Sequence, residues 1–269
     1  HPNSVKQYLI KIRSIFEEIG NIEINSRLFN KRVKIPKAEE EDPEPFTKEQ
    51  MRLLLDRCSN HNKLKYMFLK DTGCRIGELV QIRKRDVNYT KNPIQIKIQS
   101  SYTKTKKARI VFVTIETASM LKRLLSKKSD EQLVFGTNED AYIATGTEKA
   151  EFTYYRGQLA KDYPEFGERY QSNNRHKKTV HSIRSFTATQ CTEAIDESWG
   201  HGYIGHKKYL GQYIRNQDKQ AEMFVRSENY LMIYEHIEVV DSDQRVDEMQ
   251  KDVEKLQKMI LILQNTKSV

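Results

Sequence analysis

The sequence predicts a mainly helical α+β fold carrying one small antiparallel sheet, on two observations. Apolar residues recur at helical spacing through most of the chain, over residues 4–19, 47–55, 64–69, 115–127, 150–162 and from 213 towards 234. Only between Asn92 and Thr114 does the period change to two, in IQIKIQ (residues 94–99) and ARIVFVT (residues 108–114). A further short strand is expected near residues 133–135.

The chain has 269 residues, enough for one large domain with appendages. It carries 46 Lys and Arg against 37 Asp and Glu, a net +9, and this excess favours a polyanionic partner. The cysteines, Cys58, Cys74 and Cys191, are three in number and match no metal-ligand spacing, which points to a reducing cytoplasmic setting over secretion. No apolar run approaches the roughly 20 residues of a membrane span, and no signal peptide is read at the start. His1-Pro2 is an unusual natural beginning, so an upstream segment is expected.

Taken in order, residues 4–19 form an amphipathic helix. Ser4 and Gln7 have capping-box spacing, Val5, Tyr8, Leu9, Ile12, Ile15, Phe16 and Ile19 make the stripe, and Gly20 stops it. A stripe this apolar needs a packing partner, and residues 1–20 are read as the last helix of an N-terminal domain. Residues 21–45 lose the pattern: a basic stretch (Lys31, Arg32, Lys34, Lys37) precedes the acidic, proline-punctuated EEEDPEP, a linker composition. A new domain, 46–240, opens where Thr47 and Gln50 repeat the capping-box spacing ahead of Met51, Leu54 and Leu55.

The helix at 64–69 runs into DTGCRIGEL, where Gly73 permits a sharp turn, Arg75 enters the next helix and Glu78 follows one turn later. Alone, that RxxE step reads as a surface ion pair. The connection between the two strands, SSYTKTKK, carries Lys104, Lys106 and Lys107: a basic finger able to reach a groove, or a hairpin tip kept soluble by charge. Then comes a basic loop, NNRHKK, with Arg175, Lys177 and Lys178, immediately ahead of His181.

Residues 181–213 are the centre of the reading. His181 and Arg184 stand three apart on a helix and share a face. Gly205-His206 and a run ending in Tyr213 follow. Two histidines, an arginine and a tyrosine suit one phosphate, with cations and hydrogen bonds holding the oxygens while a phenolate attacks phosphorus. Such a site needs a second arginine and a lysine from elsewhere in the chain.

The ordered set Arg75, Lys104, His181, Arg184, His206, Tyr213 resembles the tyrosine recombinase (phage integrase) family, in its archaeal-like branch. TGCRIGEL is similar to the family's first-arginine motif, TKTKKARIVFV to its lysine hairpin and HSIR to its H-x-x-R, and the spacing of 22 from Arg184 to His206 is also family-like. The resemblance implies the family's catalytic-domain fold and a site-specific recombinase or integrase that cuts and rejoins DNA through a 3′-phosphotyrosyl bond. It further implies that no cofactor or metal is used, that double-stranded DNA is the partner, that a tetramer assembles on it, and that the origin is prokaryotic or a mobile element. In this scheme Arg75 and Arg184 hold the non-bridging oxygens, Lys104 protonates the leaving 5′-oxygen, His181 assists proton transfer from the tyrosine, His206 bonds the phosphate and Glu78 supports the site. Lys106, Lys107, Arg109, Arg175, Lys177, Lys178 and Lys207 are the expected DNA contacts.

One spacing departs from the family. The nucleophile commonly stands nine residues after the last histidine, where this chain has Arg215. Tyr213, at plus seven, is the expected nucleophile and Tyr209, at plus three, the second choice. Two other readings remain beside the recombinase: a type IB topoisomerase-like enzyme and a catalytically decayed DNA-binding regulator.

The tail, 241–269, shows a heptad with Val246, Val253 and Ile260 at a and Met249, Leu256 and Leu263 at d. This stripe fits a parallel two-stranded coil, and equally a helix docking on its own or a neighbouring subunit. It holds five basic and six acidic residues, so it reads as a protein contact and not as a nucleic-acid arm.

Overall fold

The computed structural model describes residues 2–34, 44–206 and 217–234. The heptad tail, Lys207, Tyr209 and Tyr213 lie outside the described residues. Helices are α1 (Pro2–Glu18), α2 (Ser26–Arg32), α3 (Lys48–Arg57), α4 (Asn60–Thr72), α5 (Ile76–Leu79), α6 (Ile115–Leu125), α7 (Ala141–Asp162), α8 (Val180–Ala194), α9 (Glu197–Ile204) and α10 (Gln217–Leu231). Strands β1 (Val87–Asn88), β2 (Gln95–Ile98) and β3 (Arg109–Phe112) form one antiparallel sheet in the order β1-β2-β3.

The α+β class read from periodicity holds, with differences at particular elements. β1 is two residues long, too short to show a period, and pairs Val87 with Ile96 and Asn88 with Gln95. The strand expected near residues 133–135 is a single bridge from Leu133 to Arg83, so Val134 and Phe135 are buried without a ladder. The stretch 21–45, read as a linker, contains α2. Asn25 caps it through bonds from Arg27 N and Leu28 N, and Arg13 of α1 holds its start by donating to the Ile24 carbonyl and Ser26 Oγ at 3.1 and 2.8 Å. The α1 stripe is largely exposed, with Tyr8 at 65% and Ile19 at 79%.

Local chemistry sets the helix ends around the core. Thr47 and Gln50 form the expected capping box on α3, worth about 1 kcal/mol. α4 ends at Gly73, whose φ of 55° is left-handed, and a Cβ there would sit 2.5 Å from Ile204 Cγ2. Gly73 therefore supplies both a backbone conformation and the close approach of α4 to α9.

Buried polar groups tie the layers. Asp71 accepts from Thr114 N, Thr114 Oγ1 and Thr117 Oγ1, and Lys70 joins it to Glu116. Tyr203 of α9 accepts from Phe112 N at 3.0 Å and donates to the Asp71 carbonyl at 3.0 Å, linking α9, β3 and α4. Trp199, Tyr203, Phe224 and Phe112 pack ring on ring in that order, and Trp199 Nε1 donates to Ser227 Oγ at 2.9 Å, seating α10 on α9. Burying side chains of this size contributes about 1.5–3 kcal/mol each relative to exposure. The result is a fixed mutual placement of the α4–α5 turn, β3, α8 and α9, the four elements that carry the conspicuous polar residues.

Candidate active site

The turn after α4 builds the first half of the site. Arg75 is the N-cap of α5, and Glu78 at the third helical position reaches back to accept from Arg75 N at 2.9 Å and Arg75 Nη1 at 3.2 Å. The same carboxylate receives Arg109 of β3, at 2.6 Å from Nη2 and 3.3 Å from Nη1. Burial pushes the Glu78 carboxyl up, but the bonds and charge of Arg109, the Arg75 amide and the charge of Arg184 outweigh it and hold it below the usual carboxylate range.

α8 brings the second half. Thr179 caps it by accepting from His181 N, and its interior threonine, Thr187, bonds the Lys70 carbonyl at 2.8 Å, which fixes the helix against α4. Arg184 Nη1 donates to the Gly73 carbonyl at 2.5 Å. Its Nε and Nη2 are buried and find no hydrogen-bond partner among the described residues. Burial, then the charges of Arg75 and Arg109, pull this guanidinium down to about 9, so it stays charged at neutral pH while lacking water and a full set of acceptors. A guanidinium in this state suits an anion, whose oxygens would meet the free donors and offset the crowded positive charge.

Arg75, Lys104, His181 and Arg184 line one open cavity of about 530 Å³, with Glu78, Tyr102, Tyr142 and Lys149 also on its wall. Lys104 is exposed on the β2–β3 connection. His181 opens to the cavity at the N-terminal turn of α8, where reduced hydration and the charges of Arg184 and Arg75 lower its imidazole below the usual value. α9 ends at Gly205, with φ 87°, and delivers His206, whose amide bonds the His201 carbonyl at 2.9 Å. Burial first, then Arg184, His201, Arg75 and His181, take His206 down to about 4. Arg75, His181, Arg184 and His206 thus act on one another electrostatically although they lie far apart in the chain.

Two expected DNA contacts are corrected. Arg109 is 6% exposed with its guanidinium locked on Glu78, so it supports the cavity from beneath and does not face a duplex. Lys178 is 2% exposed, bonded to the Pro45 carbonyl and Glu44 at 2.7 Å each and lying over the Phe46 ring, so it fastens the start of the domain. Lys106, Lys107 and Arg175 are exposed, and Lys177 is paired with Glu168 at 2.7 Å.

Sequence reasoning gave Arg109 the wrong role and missed two residues. Arg109 occupies an inward position of β3, in step with buried Val111, and that register was a usable signal. Lys149 and His201 had none, because α7 places Lys149 across the cavity and only the α9 turn sets His201 beside His206. Among the described residues no group of three or more His, Cys, Asp or Glu could hold a metal ion.

The phage integrase family model matches residues 44–218, more than half of the chain. Tyrosine recombinase XerA of Saccharolobus solfataricus is 28% identical over 138 residues, 51% of this chain and 43% of that protein, so the chain spans less than half the relative's length. The structure of a lambda integrase dimer bound to a COC′ core site shares the fold, with a TM-score of 0.51 at 16% identity over 77% of this chain and 71% of that one. A crystal structure of XerA recombinase gives a TM-score of 0.45 at 23% identity over 83% of this chain and 76% of that one. With the ordered motifs, the helical fold around a three-stranded sheet and the match over residues 44–218 in agreement, the chain belongs to the phage integrase family.

Proposed function

We propose that this chain is a site-specific DNA recombinase that cleaves and rejoins double-stranded DNA through a 3′-phosphotyrosyl intermediate, with residues 46–240 as its catalytic domain. The observation that carries the reading is that Arg184, with two buried and unpartnered guanidinium nitrogens, lines the same cavity as Arg75, His181 and Lys104. The family membership and the tyrosine recombinase among its relatives support it.

In the proposed step the tyrosine Oη bonds to phosphorus and the bond to the 5′-oxygen breaks. The phenolic proton leaves through His181, whose lowered basicity keeps it neutral and able to accept at pH 7. Lys104 delivers a proton to the departing 5′-oxygen, and Arg75 and Arg184 hold the non-bridging oxygens as charge builds on them. Because the phosphotyrosyl bond preserves the energy of the broken phosphodiester, rejoining is the same step reversed with a new 5′-hydroxyl.

A nicked suicide duplex tests this. A covalent protein–DNA adduct forms with the natural chain and is lost in Tyr213→Phe but kept in Tyr209→Phe. An adduct that survives Tyr213→Phe and disappears in Tyr209→Phe moves the nucleophile, and no adduct from any form removes the enzyme reading. For the tetramer, deleting residues from Asp243 onward weakens assembly on paired sites, read by native gel shift, more than it weakens adduct formation.

A further inference from the structure

His201 belongs to no motif of the family reading, yet it touches the one histidine that closes the site. Its Nδ1 lies 2.9 Å from Nδ1 of His206. The ring planes are 22° apart with centroids separated by 5.0 Å. With a 2.9 Å N–N contact spanning most of that separation, the rings meet edge to edge, which is the geometry of a hydrogen bond and not of stacking. One of the two nitrogens must therefore carry the proton and the other present a lone pair.

The surroundings decide which. His206 is acted on by Arg184, Arg75 and His181, and Arg109 packs against its neighbour Gly205, with Cδ 3.1 Å from where a Cβ would stand. That cationic setting disfavours a second proton on His206 and leaves it one N–H. His201 stands in the last turn of α9, where the carbonyl ends of the helix favour a proton-donating imidazole. The pair is also held rigidly: the His206 amide bonds the His201 carbonyl at 2.9 Å, and Gly205 makes the tight left-handed turn between them.

We infer that His201 is a positioning residue which donates Nδ1–H to His206 and so holds His206 as its Nε2–H tautomer, leaving a donor for a phosphate oxygen. The tautomer half stands on the contact and its surroundings and does not need the recombinase reading; the phosphate half rests on that reading. The opposite tautomer would turn an Nε2 lone pair to the anion and repel it.

The chain labelled with ¹⁵N-histidine, without DNA and near pH 7.5, tests the tautomer directly. His206 signals are assigned by their disappearance in His206→Gln. In the natural chain two-bond spectra show His206 protonated at Nε2 and bare at Nδ1. His201→Asn, whose amide donates from the same place, keeps that pattern. His201→Leu gives a mixture, and His201→Asp, which can only accept while ionised, reverses it. On the suicide duplex, adduct formation follows the same order, falling about tenfold in His201→Leu, on the scale of losing a group that orients a histidine, and further in His201→Asp, with DNA affinity unchanged. His206 protonated at Nδ1 in the natural chain, or an unaltered pattern in folded His201→Asp, overturns the inference. Absence of adduct from every form, natural chain included, counts against the recombinase reading while the spectra still decide the tautomer.

Discussion

Arg109 Nη2 lies 2.6 Å from Glu78 Oε2, and neither side chain is more than 4% exposed. The pair joins β3 to the turn that presents Arg75, and Arg109 reaches on to pack against Gly205 before His206. One buried ion pair thus sets the relative position of an arginine and a histidine 131 residues apart in sequence. Removing Glu78 leaves Arg109 charged and unpaired in the interior, and removing Arg109 strips Glu78 of its shortest ion pair and leaves it only Arg75, changes that cost up to about 3–5 kcal/mol. Glu78→Ala and Arg109→Ala are each expected to lower stability on that scale in urea titrations. Glu78→Leu combined with Arg109→Met is expected to recover most of it while adduct formation stays low, because Arg75 has lost its holder. Recovery of cleavage in the double variant would show that the pair matters only for folding.

Arg184 gives a separable test of chemistry and binding. Its unused Nε and Nη2 are the donors assigned to the phosphate. Lysine at that position keeps a charge but loses the planar fork. Arg184→Lys is expected to slow adduct formation by about 100–1000-fold, the usual effect of losing a preorganised donor to a transition-state oxygen. Overall DNA affinity, measured by gel shift, should fall far less, since exposed cations such as Lys106, Lys107 and Arg175 remain available to the backbone. Equal losses in both would contradict the role.

Much of this site was legible because its chemistry-bearing residues sit in short local patterns: RIGE in one helical turn, HSIR on one helix face, a lysine between two alternating strands. The capping box at Thr47 and the left-handed Gly73 were equally local. What could not be read depended on tertiary distance. The two-residue β1 has no period of its own and exists only because β2 offers it an edge. Lys178 looked like one more basic loop residue, and it is buried because Glu44, the Pro45 carbonyl and the Phe46 ring, more than 130 residues earlier, receive it. Charge in a sequence does not reveal which cations will find a buried partner.

The depressed histidines give the site a signature in pH. The His206 imidazole is held at about 4 against an ordinary 6.5. As pH falls through 6.5 the unfolded chain takes up a proton that the folded chain refuses until about 4. Between those values the unfolded state binds more protons, so the native state loses stability as pH drops. This contribution is fully present above about 6.5 and gone near 4. His206→Gln is therefore expected to flatten the decline of the urea midpoint over that window relative to the natural chain. A decline of unchanged steepness would mean that His206 is not held neutral by its surroundings. Bound DNA should shrink the effect as well, because a phosphate beside Arg184 and Arg75 offsets the charges that disfavour protonation.

Gly73 offers the last test, since a single methyl group there probes both backbone and packing. Its φ of 55° disfavours any side chain, and a Cβ would meet Ile204 Cγ2 at 2.5 Å and Thr187 Cγ2 at 3.1 Å. Left-handed strain alone costs about 1–3 kcal/mol, and the clash with α9 adds to it. Gly73→Ala is expected to lower the thermal midpoint clearly, as followed by circular dichroism. Because the Gly73 carbonyl also receives Arg184, and Ile204 precedes Gly205 and His206, the displaced methyl moves both halves of the site apart. Pairing Gly73→Ala with Ile204→Leu, which lacks the Cγ2 branch at nearly constant volume, removes part of the obstruction without relieving the backbone. That double variant should regain some stability and more of the adduct rate, whereas an effect due to φ alone would leave the two proteins indistinguishable.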